Sequence, residues 1–391
     1  MAVAAAAIVA AAACVTALGT APSAAQSRPG YDTGRPEQPT HATRRGPSEA
    51  ALGSIGDRVN ANTVTIVSGN INGTYLTIAY DLSAVLDDGD SFRVLPVIGK
   101  GGGQNIRDVR FLRGVDLGIT QSNLLRYFQR TNEVGRIDDK LAYVARLFNE
   151  EMHLVVRADS GVHTIADLAG QKVNFSDAGS GTQLTTRDVF TRLEIAPVEV
   201  NMGQADAFEK LQSGEIAATV LIAGKPAAAM RKLGATFRML PIAFARPLQG
   251  DYLPARLTSE DYPGVIPPGE AVDTIAVGTV LFAYNWPRNT DRYRRIAAFV
   301  DRFFPRLAEF QKPPRHPKWR ETNLNATVPG WIRFPAAQEW LERNVAADTT
   351  REQFERFLAA RGPVAGDIDS PAERERLFQN FLQWNQSRER R

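Results

Sequence analysis

The feature that most constrains the fold is a unit that recurs along the chain: a short apolar strand, a turn rich in Gly, Ser, Asn and Thr, and then a helix. In its first occurrence Val64-Thr65-Ile66-Val67 runs through Ser68-Gly69-Asn70-Ile71-Asn72-Gly73-Thr74 into a helix whose inner face is Tyr75, Ile78, Ala79, Leu82, Val85 and Leu86. This order places backbone N–H groups and small hydroxyls at one edge of a parallel sheet, a place suited to an anion. A second strand, Phe92 to Ile98, ends in Gly99-Lys100-Gly101-Gly102-Gly103-Gln104-Asn105 ahead of a helix with Ile106, Val109 and Leu112 inward. The glycine run lets backbone approach a ligand closely, and it serves equally as a flexible turn; its spacing matches neither a P-loop nor a dinucleotide fingerprint. The third strand, Val115 to Ile119, stops at Thr120-Gln121-Ser122, which places Gln121 or Ser122 at the next helix start.

After two apolar segments, Leu141 to Phe148 and Met152 to Val156, the series begins again. Lys172 to Phe175 reads as a strand, Ser176 to Thr182 as a turn and Thr182 to Leu193 as a helix. Gly179, Ser180, Gly181 and Thr182 either aim their N–H and hydroxyl groups at a ligand or form an ordinary N-cap. Leu211 to Val220 repeats the logic of Leu112 to Ile119, and its strand stops in Ala223-Gly224-Lys225-Pro226, with Pro226 suited to a first helical position. Two α/β lobes of similar design are implied, and Thr274 to Tyr284 carries the chain back to the first, so that two crossings make a hinge. The boundaries expected are lobe 1 at 63–157, lobe 2 at 158–270, a return at 271–290 and a helical extension packed on lobe 1 at 291–391. In the extension Tyr293, Ile296, Val300, Phe303 and Leu307 mark one face, Thr349 and Glu352 form a capping box, and Ser370-Pro371 starts a last amphipathic helix. All five Trp lie in this C-terminal portion, as packing onto the first lobe or as a partner surface.

The N-terminus differs from everything after it. Met1 to Leu18 is almost wholly Ala, Val and Ile, and small residues at Ser23 and Ala25 suit cleavage before Gln26, so residues 1–25 read as a secretory signal. An uncleaved anchor and lipidation at Cys14, the only cysteine, are the alternatives. Cleavage leaves a chain without thiol chemistry or disulfides. Residues 26–62, rich in Pro, Gly, Ser and charge, read as a disordered tether. With 43% apolar residues, 23% charged residues and a net charge of +3, the rest is globular and has no basic stripe for nucleic acid.

Catalytic patterns are missing. His41, His153, His163 and His316 show no metal-ligand spacing, and Ala178 breaks a nucleophile-elbow pattern around Ser180. The adjacent acids Asp87-Asp88 and Glu150-Glu151 are expected in solvated turns. No cofactor is called for, and the chain reads as a non-enzyme.

Taken in order, Ser68-Gly69, Gly73-Thr74-Tyr75, Gly103-Gln104-Asn105-Ile106-Arg107, Asp116 to Ser122, Asp167-Leu168, Gly170, Lys172-Val173, Gly179 to Thr182 and Ala223 to Pro226 resemble the signature of the TAXI-type solute receptors of TRAP transporters. The resemblance covers about Asn62 to Tyr284. It implies a type II periplasmic-binding-protein fold, an α/β protein of two lobes closing on a small carboxylate (glutamate, glutamine or a dicarboxylate) and delivering it to TRAP membrane subunits. It places Ser68, Gly69, Asn70, Thr74, Tyr75, Gln104, Asn105, Gln121 and Ser122 on the first lobe's side of the cleft. Ser180, Gly181 and Thr182 face them from the second, with Gly224 and Lys225 nearby; Lys225 adds a charge there or is a surface lysine. A periplasmic sensor of the same fold acting on a signalling partner is the alternative, and an enzyme on a two-lobed scaffold a further one.

Overall fold

The computed structural model describes residues 49–344 apart from Asn72 and Asp90. The expected signal, the tether up to residue 48, Asn72, the Thr349–Glu352 box, the helix at Ser370 and Trp384 lie outside the described residues.

The last stretch of the expected tether is ordered instead: Glu49–Ala61 is helix α1. The Pro-rich composition stops at Pro47, and the next residues are dense in helix formers such as Glu49, Ala50, Ala51 and Leu52. The end of α1 is tied down where Asn60 O accepts from Arg295.

The recurring units then unfold in order as β1 (Thr63–Val67), α2 (Thr74–Leu86), β2 (Arg93–Val97), α3 (Gly102–Phe111), β3 (Leu117–Gln121) and α4 (Leu124–Thr131). A long strand, β4 (Leu141–Arg157), leads to β5 (Lys172–Asn174), α5 (Gly181–Arg192), β6 (Val198–Val200), α6 (Gln204–Ser213), β7 (Ala218–Ala223), β8 (Phe237–Met239) and β9 (Leu253–Thr258). A second long strand, β10 (Ala271–Tyr284), returns the chain to α7 (Asp291–Phe303), α8 (Leu307–Phe310) and β11 (Ile332–Arg333). Gly214, at φ 77°, ends α6 in the left-handed conformation that favours glycine, which is why the pattern breaks there.

The sheet runs β2-β1-β3-β10-β4-β7-β5-β6. β1 is parallel to β2 and β3, and β5 to β6 and β7, whereas β10 and β4 run antiparallel to the strands beside them in this order; β11 adds to β4 in parallel. This gives two α/β lobes, each built on parallel strands and joined by two shared strands. β4 explains the cohesion: Val144 and Phe148, then Tyr143, then Leu154, then Val155 enter four separate apolar clusters, two in each lobe. Burying an aliphatic or Phe side chain in such a cluster contributes about 1.5–3 kcal/mol.

Two expectations are corrected here. The apolar segments at 141–148 and 152–156 are one strand, and Glu150 and Glu151 lie inside it, buried, rather than in a solvated turn. A strand buried on both faces tolerates two acids only where each is neutralised or paired. Pro226 does not begin an α-helix either. The Lys225–Pro226 bond is cis, and a short 3₁₀ turn, Met230–Lys232, comes after it.

The described part of the C-terminal region packs on the first lobe. Phe299, Phe303, Phe310 and Trp319 join Val64, Ile78 and Leu82 in one cluster, with Trp286 and Trp340 against it, while Trp331 packs on the other face of the sheet. Two buried acids hold this region: Asp81 accepts from Trp319 Nε1 (2.9 Å) and His316 N (2.9 Å), and Asp116 pairs with Arg292 and Arg295. A third link reaches the lobe junction, where Lys318 Nζ lies 2.6 Å from Glu151 Oε1 and 2.7 Å from Glu321 Oε1.

Truncating one member of such a buried pair leaves the other charge uncompensated. Lys318→Ala is expected to lower unfolding free energy by about 3–5 kcal/mol in urea denaturation, and a Lys318→Met, Glu151→Leu double variant to recover most of that loss.

Candidate functional site

Three of the recurring turns meet at the junction of the lobes around a cavity of about 80 Å³. Each brings a helix N-terminus: Gly73 and Thr74 start α2, Gly101 and Gly102 start α3, and Ser180, Gly181 and Thr182 start α5. None of these helices carries an acidic residue in its first turn, so nothing on the helix itself offsets its N-terminal positive end. First-turn N–H groups have no acceptor within their own helix, and Thr74, Tyr75, Gly102, Gly181 and Thr182 of these first turns line the cavity. Lys100 and Asp177 add one charge of each sign to the walls.

β4 supplies the floor. Glu150 lines the cavity and is buried; its Oε2 accepts from Tyr75 OH at 2.6 Å and Gln121 Nε2 at 2.8 Å. Burial raises its pKa to about 8, with a smaller push from Glu151, against the opposing effects of the two hydrogen bonds and Lys318. The Tyr75 phenol is pushed well up by the same burial and then by Glu150. Gln121 Oε1, buried beside the same cavity, has no hydrogen-bond partner.

The lobes are closed on each other. The backbones of Gly102 and Gly181 approach so tightly that a Cβ on Gly102 would lie 2.2 Å from Gly181 Cα and 2.6 Å from its N. Polar contacts join the lobes around this point: Gln104 N donates to Gly179 O (3.1 Å), Thr74 Oγ1 to Gly224 O (3.3 Å) and Asn123 Nδ2 to Thr185 Oγ1 (3.2 Å). At the rim Arg126 pairs with Asp251 at 2.7 Å.

Of the residues singled out in the sequence, Gly69, Asn70, Thr74, Tyr75, Gln121, Ser180, Gly181 and Thr182 line the cavity together. Ser180 also caps α5, its Oγ accepting from Gln183 N, and Thr182 Oγ1 accepts from Ile222 N. The others stand outside the lining and serve the scaffold. Ser68 Oγ donates to Val97 O, and Asn105 Nδ2 donates to Ser68 O (2.9 Å) and Ile119 O (2.7 Å), clamping the ends of two strands. Gln104 turns its amide to Asp108, Ser122 N donates to Gly278 O, and Gly224 packs against Lys318 and Phe148. Lys225 points away: its Nζ is 2.8 Å from Asp261 Oδ2 and 2.7 Å from Arg256 O.

Sequence reasoning passed over Glu150, Lys100, Gly102, Ser176 and Gln204, which also line the cavity. Ser176 sits at φ 67°, a conformation secured by a hydrogen bond from its N–H to Asn174 Oδ1. Glu150 had one signal: an acid pair inside an otherwise apolar run of strand-forming residues. His153, by contrast, is a core residue, 2.6 Å from Tyr262 OH and held by burial at a pKa of about 4. Among the described residues no group of three His, Cys, Asp or Glu is placed to hold a metal ion, and no helix is long and apolar enough to cross a membrane.

Comparison with known proteins places residues 66–305 within the NMT1-like family. An Asp/Glu-specific dipeptidyl-peptidase of Shewanella putrefaciens is 32% identical over 111 residues, a match that takes in 28% of this chain and only 14% of that relative's length. Among solved structures, a periplasmic transporter aligns at TM-score 0.43 and 14% identity over 74% of this chain and 97% of that one. The alkanesulfonate-binding protein SsuA from Xanthomonas axonopodis pv. citri aligns at 0.40 and 15% over 81% and 83%, and the periplasmic binding protein BugD at 0.41 and 14% over 75% and 97%.

The site's geometry has two measurable outcomes. Gly102→Ala forces the α3 and α5 starts apart, and small-angle scattering is expected to show a larger radius of gyration than for the parent chain. Glu150, whose pKa rises from 4.5 in the unfolded chain to about 8, holds an extra proton in the folded state between those values. Stability therefore falls as pH rises from about 4.5 to about 8 and levels off above. Melting curves across that range should show a steeper decline for the parent than for Glu150→Gln.

Proposed function

The chain belongs to the NMT1-like family, and from that premise we propose that it is a periplasmic solute receptor that binds a small carboxylate between its lobes. The observation that carries this reading is the convergence of three helix N-termini, two from one lobe and one from the other, on one cavity. Charge-assisted hydrogen bonds from such N–H groups hold a carboxylate without an arginine, which suits a site from which Lys225 is turned away. Glu150 does not repel the anion, because burial keeps it protonated up to a pKa of about 8. Opening and closing of the lobes about β4 and β10 admits and releases the solute. The cavity wall offers the sites named in the sequence, Asn70, Thr74, Tyr75, Gln121, Ser180, Gly181 and Thr182, as ligand contacts. In this reading the N-terminal segment directs export, the bound solute passes to TRAP membrane subunits, and the protein itself catalyses no reaction.

Ligand that binds only the folded chain raises its melting temperature, by about 2.7 kcal/mol of added stability at a hundredfold excess over Kd. A thermal-shift panel of amino acids, dicarboxylates and 2-oxo acids is expected to give at least one such shift with the parent chain, and a much smaller one with Gly102→Ala, whose lobes cannot close. A panel without any shift overturns the reading.

A further inference from the structure

Resting on that reading, we propose that Glu150 and Gln121 determine specificity by demanding an ammonium group on the ligand, whose arrival expels the proton of Glu150 into solvent. The site carries two opposite kinds of surface. The N-termini of α2, α3 and α5 present donors, which a ligand carboxylate satisfies. The floor presents acceptors: the carboxyl of Glu150, and beside it Gln121 Oε1, buried and without a partner. Tyr75 OH and Gln121 Nε2 both donate to Glu150 Oε2, and no protein donor meets Gln121 Oε1. A plain dicarboxylate brings no donor and would leave that acceptor orphaned. An ammonium, with three donors, serves both acceptors at once.

The neighbours of Glu150 set the proton balance. Glu150 faces Tyr75 from α2 and Gln121 from β3; Glu151 on β4 disfavours its ionisation and Lys318 favours it, both from a distance. Lys100 and Asp177 stand on the other walls of the cavity. At neutral pH the empty site keeps Glu150 protonated. A cation placed against the carboxyl favours its ionised form, the O–H bond breaks, and the proton leaves for water while the ammonium–carboxylate pair forms. Binding that releases a proton strengthens as pH rises, by up to about tenfold per pH unit below the pKa of about 8.

The test is titration calorimetry of the full chain at pH 7, in two buffers of different ionisation enthalpy. The probes are amino acids, glutamate, glutamine and alanine, each beside its 2-oxo and desamino counterparts. Amino acids are expected to bind at least about tenfold tighter than their counterparts, with buffer-dependent heats equivalent to release of most of one proton. Glu150→Gln keeps an amide oxygen to accept from Tyr75 and Gln121, and its melting curve checks that it folds; it should lose both the preference and the proton release. Counterparts that bind as tightly as the amino acids, or proton release that persists in Glu150→Gln, overturn the proposal and leave the receptor reading standing. Absence of binding by every probe overturns that reading and this proposal with it.

Discussion

Two adjacent carboxyl groups on one buried strand set the conditions for the rest of the molecule. Glu150 and Glu151 point to opposite sides of β4 at the place where the lobes join, and both are almost wholly removed from water. The desolvation penalty is met in two different ways. Burial pushes the Glu151 carboxyl up, and its contact with Lys318 Nζ and the hydrogen bond it accepts from Lys225 N at 2.9 Å oppose that push, whereas Glu150 has no cation in contact and is carried up to a pKa of about 8. One acid thereby binds the C-terminal region to the junction. The other forms a neutral floor beneath three helix N-termini.

The contacts that close the lobes are of a different grade from those that build them. Inside each lobe the clusters are dense in Phe, Leu, Ile and Val, with side chains such as Phe303 and Phe190 buried. Across the cleft stand one buried leucine, Leu184 of α5, seated in a first-lobe cluster, together with single hydrogen bonds and rim ion pairs such as Arg126 with Asp251, in which the arginine is 44% exposed. Exposed pairs of that sort contribute about 0–1 kcal/mol each. Closure is thus held by far less apolar burial than either lobe, which lets an interaction inside the cavity shift the balance between open and closed forms.

Much of this was legible in the sequence. The strand–turn–helix units have clear periodicity, and turns at 68–75 and 176–182 carry the small residues that only a close backbone approach requires. Ser68, Asn105 and Ser122 could not be told apart from ligand contacts, because a small polar side chain at a strand end binds a neighbouring carbonyl as readily as a solute. Lys225 turned away because Asp261, far along the chain, is nearer than the cavity. Glu150 and Glu151 were misread because two acids in a row ordinarily mark a turn, and only the pairing of β4 with β7 and β10 shows that they are sealed from water. No local pattern announces that Lys318 comes to meet them.

That meeting spans 167 residues of sequence, and the first lobe is divided by the whole of the second. β3 finds its neighbour β10 only after residues 152–270 have been laid down, and the cluster around Trp319 closes later still. The second lobe is nearly contiguous and has the shorter loops to close, so it is the part able to collapse on its own. The first lobe depends on contacts of high sequence separation, which fold slowly. A chain shortened before residue 318 would leave Glu151 buried without its cation, so a nascent chain of this protein stays unfinished until almost all of its described length is present.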